Sequence, residues 1–328
     1  MLMRPALAPH AALLIRTPDT VQIGMCPHTG IVLSGVTDQE RTFLTMLDGS
    51  RDIATLRRWA LRSRTNPVRV DEMLETLTAR GLLHDGADAD RVPQDRHTAI
   101  EHETVMAEAQ SLRMRHRMPT YGPELVRQRA ERAILIDGHG NLADAVAATL
   151  RQAGFRRLQA GSWAGAIADF RRRAGQESGP GRRDLVIVVA PHALDRSAVD
   201  QWQTAGPAVL PVITQGSTVD VGPLLGRSGP CANCLDLHRA DRDPAWPQIL
   251  AQLTAPRAQE PPPARCASAV AALAAGCAAV LVTDFMDVHR CPPGVGYAIQ
   301  PRAPYLMQRR WVPHPRCACT TGALTMSS

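Results

Sequence analysis

Short bursts of alternating apolar and polar residues open the chain. "ALLIRT" (residues 12–17), "VQIGM" (21–25) and "GIVLSG" (30–35) predict three strands, with "PD" as the first turn. The period then lengthens. "TDQERTFLTML" (37–47) predicts a helix with Thr37 or Asp38 as N-cap and Phe43, Leu44 and Leu47 on its apolar stripe. "DGSRD" breaks it, and "IATLRRWAL" (53–61) predicts a second helix. After Asn66-Pro67, Val70, Met73, Leu74 and Leu77 recur at i, i+3, i+4 and i+7, a third helix that Gly81 ends. Three strands and three helices within residues 1–88 predict a winged-helix-like module.

Residues 89–130 are polar, with charges of both signs, and predict a linker carrying one exposed helix. At Arg132 strands begin to alternate with helices. Strands are expected at 133–136, 156–163, 182–191 and 208–216, and helices at 142–153 and 164–174. "LVIVVAP" is apolar throughout its centre, as a parallel strand buried on both faces requires. The alternation predicts a Rossmann-like, doubly wound α/β domain over 131–328. A last Ala-rich helix is expected over 266–286, holding Cys266 and Cys277 as small core residues.

Composition narrows the chemistry. The 328 residues are 45% hydrophobic, ample for a core, and no apolar run is read as a bilayer span of roughly 20 residues. The broken apolar stretch at the start makes a poor secretory signal, so a cytoplasmic location is expected. The net charge of +6 comes from arginine alone, since the chain contains no lysine. That excludes a Schiff-base lysine and a lysine clamp on a nucleotide phosphate. Arginine and acid residues are interspersed, and the third helix carries Asp71, Glu72 and Glu75, which repel a duplex. Nucleic acid is therefore not an expected partner.

Two motifs carry chemistry. "GHGNLA" sets Gly138, Gly140 and Ala143 in a G-x-G-x-x-A turn between strand and helix, where a nucleotide phosphate could sit. The following strand, "LQAGSW", ends without the acid that would hold a ribose. The turn therefore reads as structural, or as a vestige of a nucleotide site. Seven of eight cysteines lie after residue 230. "CANC" supplies Cys231 and Cys234, and "HPRCACTTG" supplies Cys317 and Cys319. Four thiolates in two close pairs suit a structural Zn²⁺ with no open position for water. His238 or Cys291 could replace one ligand, and free or redox thiols are the alternative.

A Rossmann-like domain with a split cysteine pair resembles the ThiF-like family, over roughly residues 131–328. "VTDQERTFLTMLDGSRDIATL" resembles the helical part of the PqqD-like peptide-recognition element, where an "LDG" break follows the first helix. "GPCANCLDLHRADRDPAWP" is similar to the segment bearing the first cysteine pair in bacterial leader-peptide-binding proteins of azole and azoline biosynthesis. The resemblance implies a non-catalytic scaffold. It would bind the leader of a ribosomally made precursor and present it to a YcaO-type, ATP-dependent cyclodehydratase. A homodimer is the other association it allows. The leader would add a strand to the N-terminal sheet at Ile31, Val32 and Leu33, with Met73 and Leu77 as groove wall. The CxC form of the second cysteine pair departs from the family pattern. Two alternatives stand beside this reading: an active adenylating or nicotinamide-using enzyme, and a winged-helix regulator.

Overall fold

The computed structural model describes residues 4–8, 11–86, 96–116, 122–161, 185–196, 199–200, 202, 206–225, 229–255, 263–288 and 291–321. The chain divides into two compact units, Met1–Arg127 and Gln128–Ser328.

In the first unit β1 (Pro5–Leu7) pairs antiparallel with β5 (Leu83–Asp85), a two-stranded sheet that the sequence pattern did not predict. The three predicted strands are present as β2 (Leu13–Thr17), β3 (Thr20–Ile23) and β4 (Ile31–Ser34), an antiparallel meander in the order β2-β3-β4. Three helices follow: α1 (Asp38–Thr45), α2 (Ile53–Arg62) and α3 (Pro67–Ala79). Each start is fixed by its own side-chain cap. Thr37 and Glu40 form a reciprocal capping box on α1, Asp52 accepts from Thr55 N–H, and Asn66 accepts from Val68 N–H beside Pro67. Val21, Ile23, Phe43, Leu44, Leu56, Val70 and Leu77 form the core.

The polar stretch expected to hold one exposed helix contains two helices, α4 (Arg96–His116) and α5 (Gly122–Gln128). Ala109 and Leu112 of α4 are buried with Val126 of α5, so this stretch has a small core of its own.

The second unit is built on a seven-stranded mixed sheet in the order β12-β11-β10-β9-β8-β6-β7. β6 (Ala133–Asp137), β7 (Arg157–Gly161), β8 (Leu185–Pro191) and β9 (Ala208–Gln215) are parallel, at the places the alternation predicts. β10 (Thr218–Val221), β11 (Val295–Ile299) and β12 (Leu306–Arg310) extend the sheet antiparallel, an addition not foreseen. The helix expected over 164–174 lies outside the described residues.

Alternation along β6 divides the core. Ile134 and Ile136 face α6 (Asn141–Gln152) and α9 (Ser268–Val288), while Leu135 faces Trp202, Leu235 and Trp311. α9 has 21 residues and is apolar enough by length and composition to cross a membrane, which corrects the expectation that no such run exists. Eleven of those residues are buried, as in the core helix of a folded domain. Cys266 lies ahead of this helix, not inside it. Two further helices, α7 (Ala232–Arg242) and α8 (Trp246–Leu253), precede α9, and a short α10 (Ala318–Thr321) follows β12.

Candidate functional site

Three of the predicted features can be built up from their residues, two in the second unit and one in the first.

The four predicted metal ligands converge. Cys231 is the N-cap of α7, and Cys234 lies one turn on, so a single helical turn presents both sulfurs on one side. Cys317 and Cys319 enter from the segment after β12. The Sγ atoms of Cys231 and Cys234 are 3.7 Å apart, those of Cys231 and Cys317 3.5 Å, and those of Cys234 and Cys319 3.4 Å. All four lie within 4.8 Å of one another. Zinc–sulfur bonds of about 2.3 Å give a tetrahedron with edges of about 3.8 Å, so the cluster is already close to the size a zinc ion requires. The four thiols fit the ion, and a filled Cys₄ set leaves no open coordination position.

Donors surround the sulfurs. His314 N–H points at the Cys234 sulfur at 3.2 Å, and Asn233 Nδ2 points at Cys317 at 3.3 Å. Burial opposes ionisation of Cys317, but the Cys319 N–H and the Asn233 amide outweigh it and draw its pKa down to about 6. Burial pushes Cys231 and Cys319 up, and neighbouring thiols add to the rise at Cys319. The proposed substitutes are engaged elsewhere. His238 Nε2 bonds the Val312 carbonyl at 2.9 Å, while Cys291 packs against the apolar core, where burial raises its pKa to about 11.

Sequence reasoning missed His314. Its Nδ1 accepts from Arg316 N–H at 3.1 Å, which leaves Nε2 to donate to Asp241 at 2.8 Å. It thereby holds the turn that carries Cys317, and its signal was the H-P-R-C spacing.

The second feature is the glycine turn between β6 and α6. Gly138 has φ +141°, and a Cβ there would lie 2.0 Å from the Val189 carbonyl oxygen, so the close approach of β6 to β8 demands glycine. A Cβ on Gly140 would lie 2.5 Å from the Ala264 oxygen and 3.1 Å from Pro263. A strap ahead of α9 thus covers the turn. Ala264 N–H bonds the His139 carbonyl at 3.0 Å. Asn141 donates to the Cys266 carbonyl at 2.8 Å and accepts from its N–H at 3.2 Å. Ala143 is 4% exposed in the core. The start of α6, where a phosphate would approach, is faced by the protein's own backbone. Beside it Asp137 ends β6, accepting from Trp202 Nε1 at 3.0 Å, and burial raises its pKa to about 6.

The third feature is the edge of β4. Gly24 N–H bonds the Ala12 carbonyl at 2.9 Å, in register with the β2–β3 ladder. Residues at even positions of β3 therefore face β2, and Val21 and Ile23 face β4. Their partners Leu33 and Ile31 use their backbone groups toward β3. Val32 and Ser34 consequently turn N–H and C=O to the free edge, and Val32 is 48% exposed. Ile31 is buried and Leu33 packs on the core. The two expected groove residues are core residues instead: Met73 is 5% exposed and Leu77 is 0% exposed. Their helical period turns both into the apolar cluster that holds Val21, Ile23 and Phe43.

The folded chain is thus a mixed α/β protein whose fold is shared with solved heterocyclases and with MccB. No family model matches it, and no curated protein does. The heterocyclase TruD superposes with a TM-score of 0.60 and 16% identity, over 97% of this chain and 42% of that one. A heterocyclase in complex with substrate and cofactor gives the same score and identity over 39% of its length. MccB of E. coli superposes with a TM-score of 0.62 and 13% identity, over 97% of this chain and 96% of that one. At these identities the likeness establishes a common fold. The chain spans about two fifths of the heterocyclase chains and nearly the whole of MccB.

Proposed function

We propose that this protein is a non-catalytic scaffold that binds the leader of a ribosomally made precursor peptide and presents it to a separate, YcaO-type cyclodehydratase. The observation that carries the reading is the free edge of β4, where Val32 directs both backbone groups outward. An extended peptide adding there gains main-chain hydrogen bonds without any rearrangement of the sheet. One further fact supports it. The strap at Ala264 covers the turn that a nucleotide-using member of the fold would need open. The Cys₄ cluster holds structural zinc in this reading, tying the segment after β12 to α7.

The other reading is an active, nucleotide-using enzyme. It is favoured by the likeness to MccB, which has been solved with ATP. One pair of measurements separates the two. The full chain is titrated with the precursor peptide encoded beside its gene, and pyrophosphate exchange is followed with ATP and the same peptide. The scaffold reading expects saturable peptide binding and no exchange. Exchange by this protein alone would reverse the assignment.

A further inference from the structure

We propose that the edge of β4 accepts an added strand with two-way main-chain pairing at Val32 alone, because the protein closes both ends of the edge itself. This rests on the strand-addition reading above. At the leading end, Gly30 would be the next outward-facing residue, but its N–H is consumed by the Cys26 carbonyl at 2.7 Å. At the trailing end, the outward carbonyl of Ser34 accepts from Arg69 Nη2 at 3.2 Å. Arg69 is not free to swing away. Its Nε bonds Glu40 Oε1 at 3.1 Å, and that carboxylate is only 6% exposed. The other Glu40 oxygen accepts from Thr37 N–H at 2.9 Å as half of the α1 capping box. A buried carboxylate fixed by a helix cap therefore aims a guanidinium along the edge of the strand. A carbonyl oxygen can accept twice, but an added strand's N–H would have to share this one with a charged donor already bonded to it.

What remains open is the Val32 N–H and C=O, the Ser34 N–H and the Gly30 C=O. In whatever register a peptide adds, the residue opposite Ser34 sets its N–H against the blocked carbonyl, so main-chain bonding stops there. Shifting the strand by one would also exchange the two faces of every side chain. Arg69 thus limits the length of the pairing and does not supply a pocket. The other edge of the meander, β2, is broken by an irregularity between Ile15 and Thr17, a feature that discourages pairing.

The test uses the full chain and a linear peptide selected on it from a random display library. Amide exchange is measured first. Binding should slow exchange at Val32 and Ser34 and leave Ile31 and Leu33, already bonded to β3, unchanged. No protection at Val32 and Ser34 would sink the strand-addition reading and this inference with it. The bound peptide is then N-methylated one residue at a time. In the wild-type protein, methylation of the residue opposite Val32 should weaken binding about tenfold, the scale of one lost hydrogen bond. Methylation opposite Ser34 should have little effect. In the Arg69→Met, Glu40→Gln double variant, which leaves no buried charge stranded, the position opposite Ser34 should become sensitive by about the same factor. Unchanged exchange at Ile31 and Leu33 in the free variant checks that the meander persists. Sensitivity opposite Ser34 already in the wild type, with Val32 protected, would overturn the stop at Ser34 while leaving strand addition intact. So would a variant whose methylation pattern matches the wild type.

Discussion

Replacing Cys317 by serine tests the thiolate cluster most directly. The sulfur sits 3.5 Å from that of Cys231 and takes the Asn233 side-chain N–H at 3.3 Å. Serine keeps the size but offers a neutral hydroxyl in place of a thiolate. Structural zinc binds with roughly 10–16 kcal/mol at neutral pH, so one ligand in four carries about 3 kcal/mol and its loss weakens binding about a hundredfold. At a free zinc concentration a thousand times the wild-type Kd, linkage stabilises the fold by about 4 kcal/mol. The same concentration is only ten times the variant's Kd, which leaves about 1.4 kcal/mol. The difference, about 2.7 kcal/mol, corresponds to a fall in melting temperature of roughly 6–10 °C for a unit of this size. Metal content by mass spectrometry and calorimetry at buffered zinc measure both quantities. Cys266→Ser is the control, because that thiol lies in the strap and outside the cluster. The reasoning fails if the wild-type protein carries no metal, or if the control loses as much zinc and stability as Cys317→Ser.

Asp137 should make the fold less stable as pH rises. Its folded pKa, raised to about 6 by burial, lies above the ordinary 3.8. Between those values the folded state holds a proton that the unfolded state has lost, so stability falls across that window by up to about 3 kcal/mol and is flat above it. Asp137→Asn keeps an acceptor for Trp202 and should flatten the slope in urea melts taken between pH 4 and pH 7; an unchanged slope would contradict the burial argument. Gly138→Ala should unfold the second unit or lower its yield sharply, because its Cβ would meet the Val189 carbonyl at 2.0 Å. A soluble variant with wild-type melting would show that β6 and β8 can separate there. Val32→Pro should abolish peptide binding while lowering stability little, since the lost N–H faces the free edge. Binding that survives in isothermal titration would place the peptide elsewhere.

The sequence made local structure readable wherever the chain speaks for itself within a few residues. Thr37, Asp52 and Asn66 announce their helices by capping chemistry, and the apolar run of β8 announces a central strand. The cysteine pairs were legible as a set because thiolate spacing is a sparse and specific signal. Pairings between distant segments were not. β1 and β5 are three residues each, too short for any period, and Pro5 pairs with Asp85 and Leu7 with Leu83 across all three helices between them. Arg129, fully buried against Asp287 through bonds of 2.6–3.1 Å, joins residues 158 positions apart, and neither looks different from a surface charge in sequence. Met73 and Leu77 show the opposite failure. An apolar helical period states that a face is covered, but not whether the core or a ligand covers it.

The strap at Ala264 also bears on any attempt to engineer a phosphate site at the glycine turn. A designer who added an acid at the end of β7 and a cation near the glycine turn would still meet a backbone segment hydrogen-bonded across the helix start. The Asn141 side chain closes that segment with a reciprocal pair of bonds, and Ala264 adds a third through His139. Opening that turn to a phosphate would have to begin with rerouting the chain ahead of α9. Point substitutions in the glycine turn come second, and alone they only unpack the sheet.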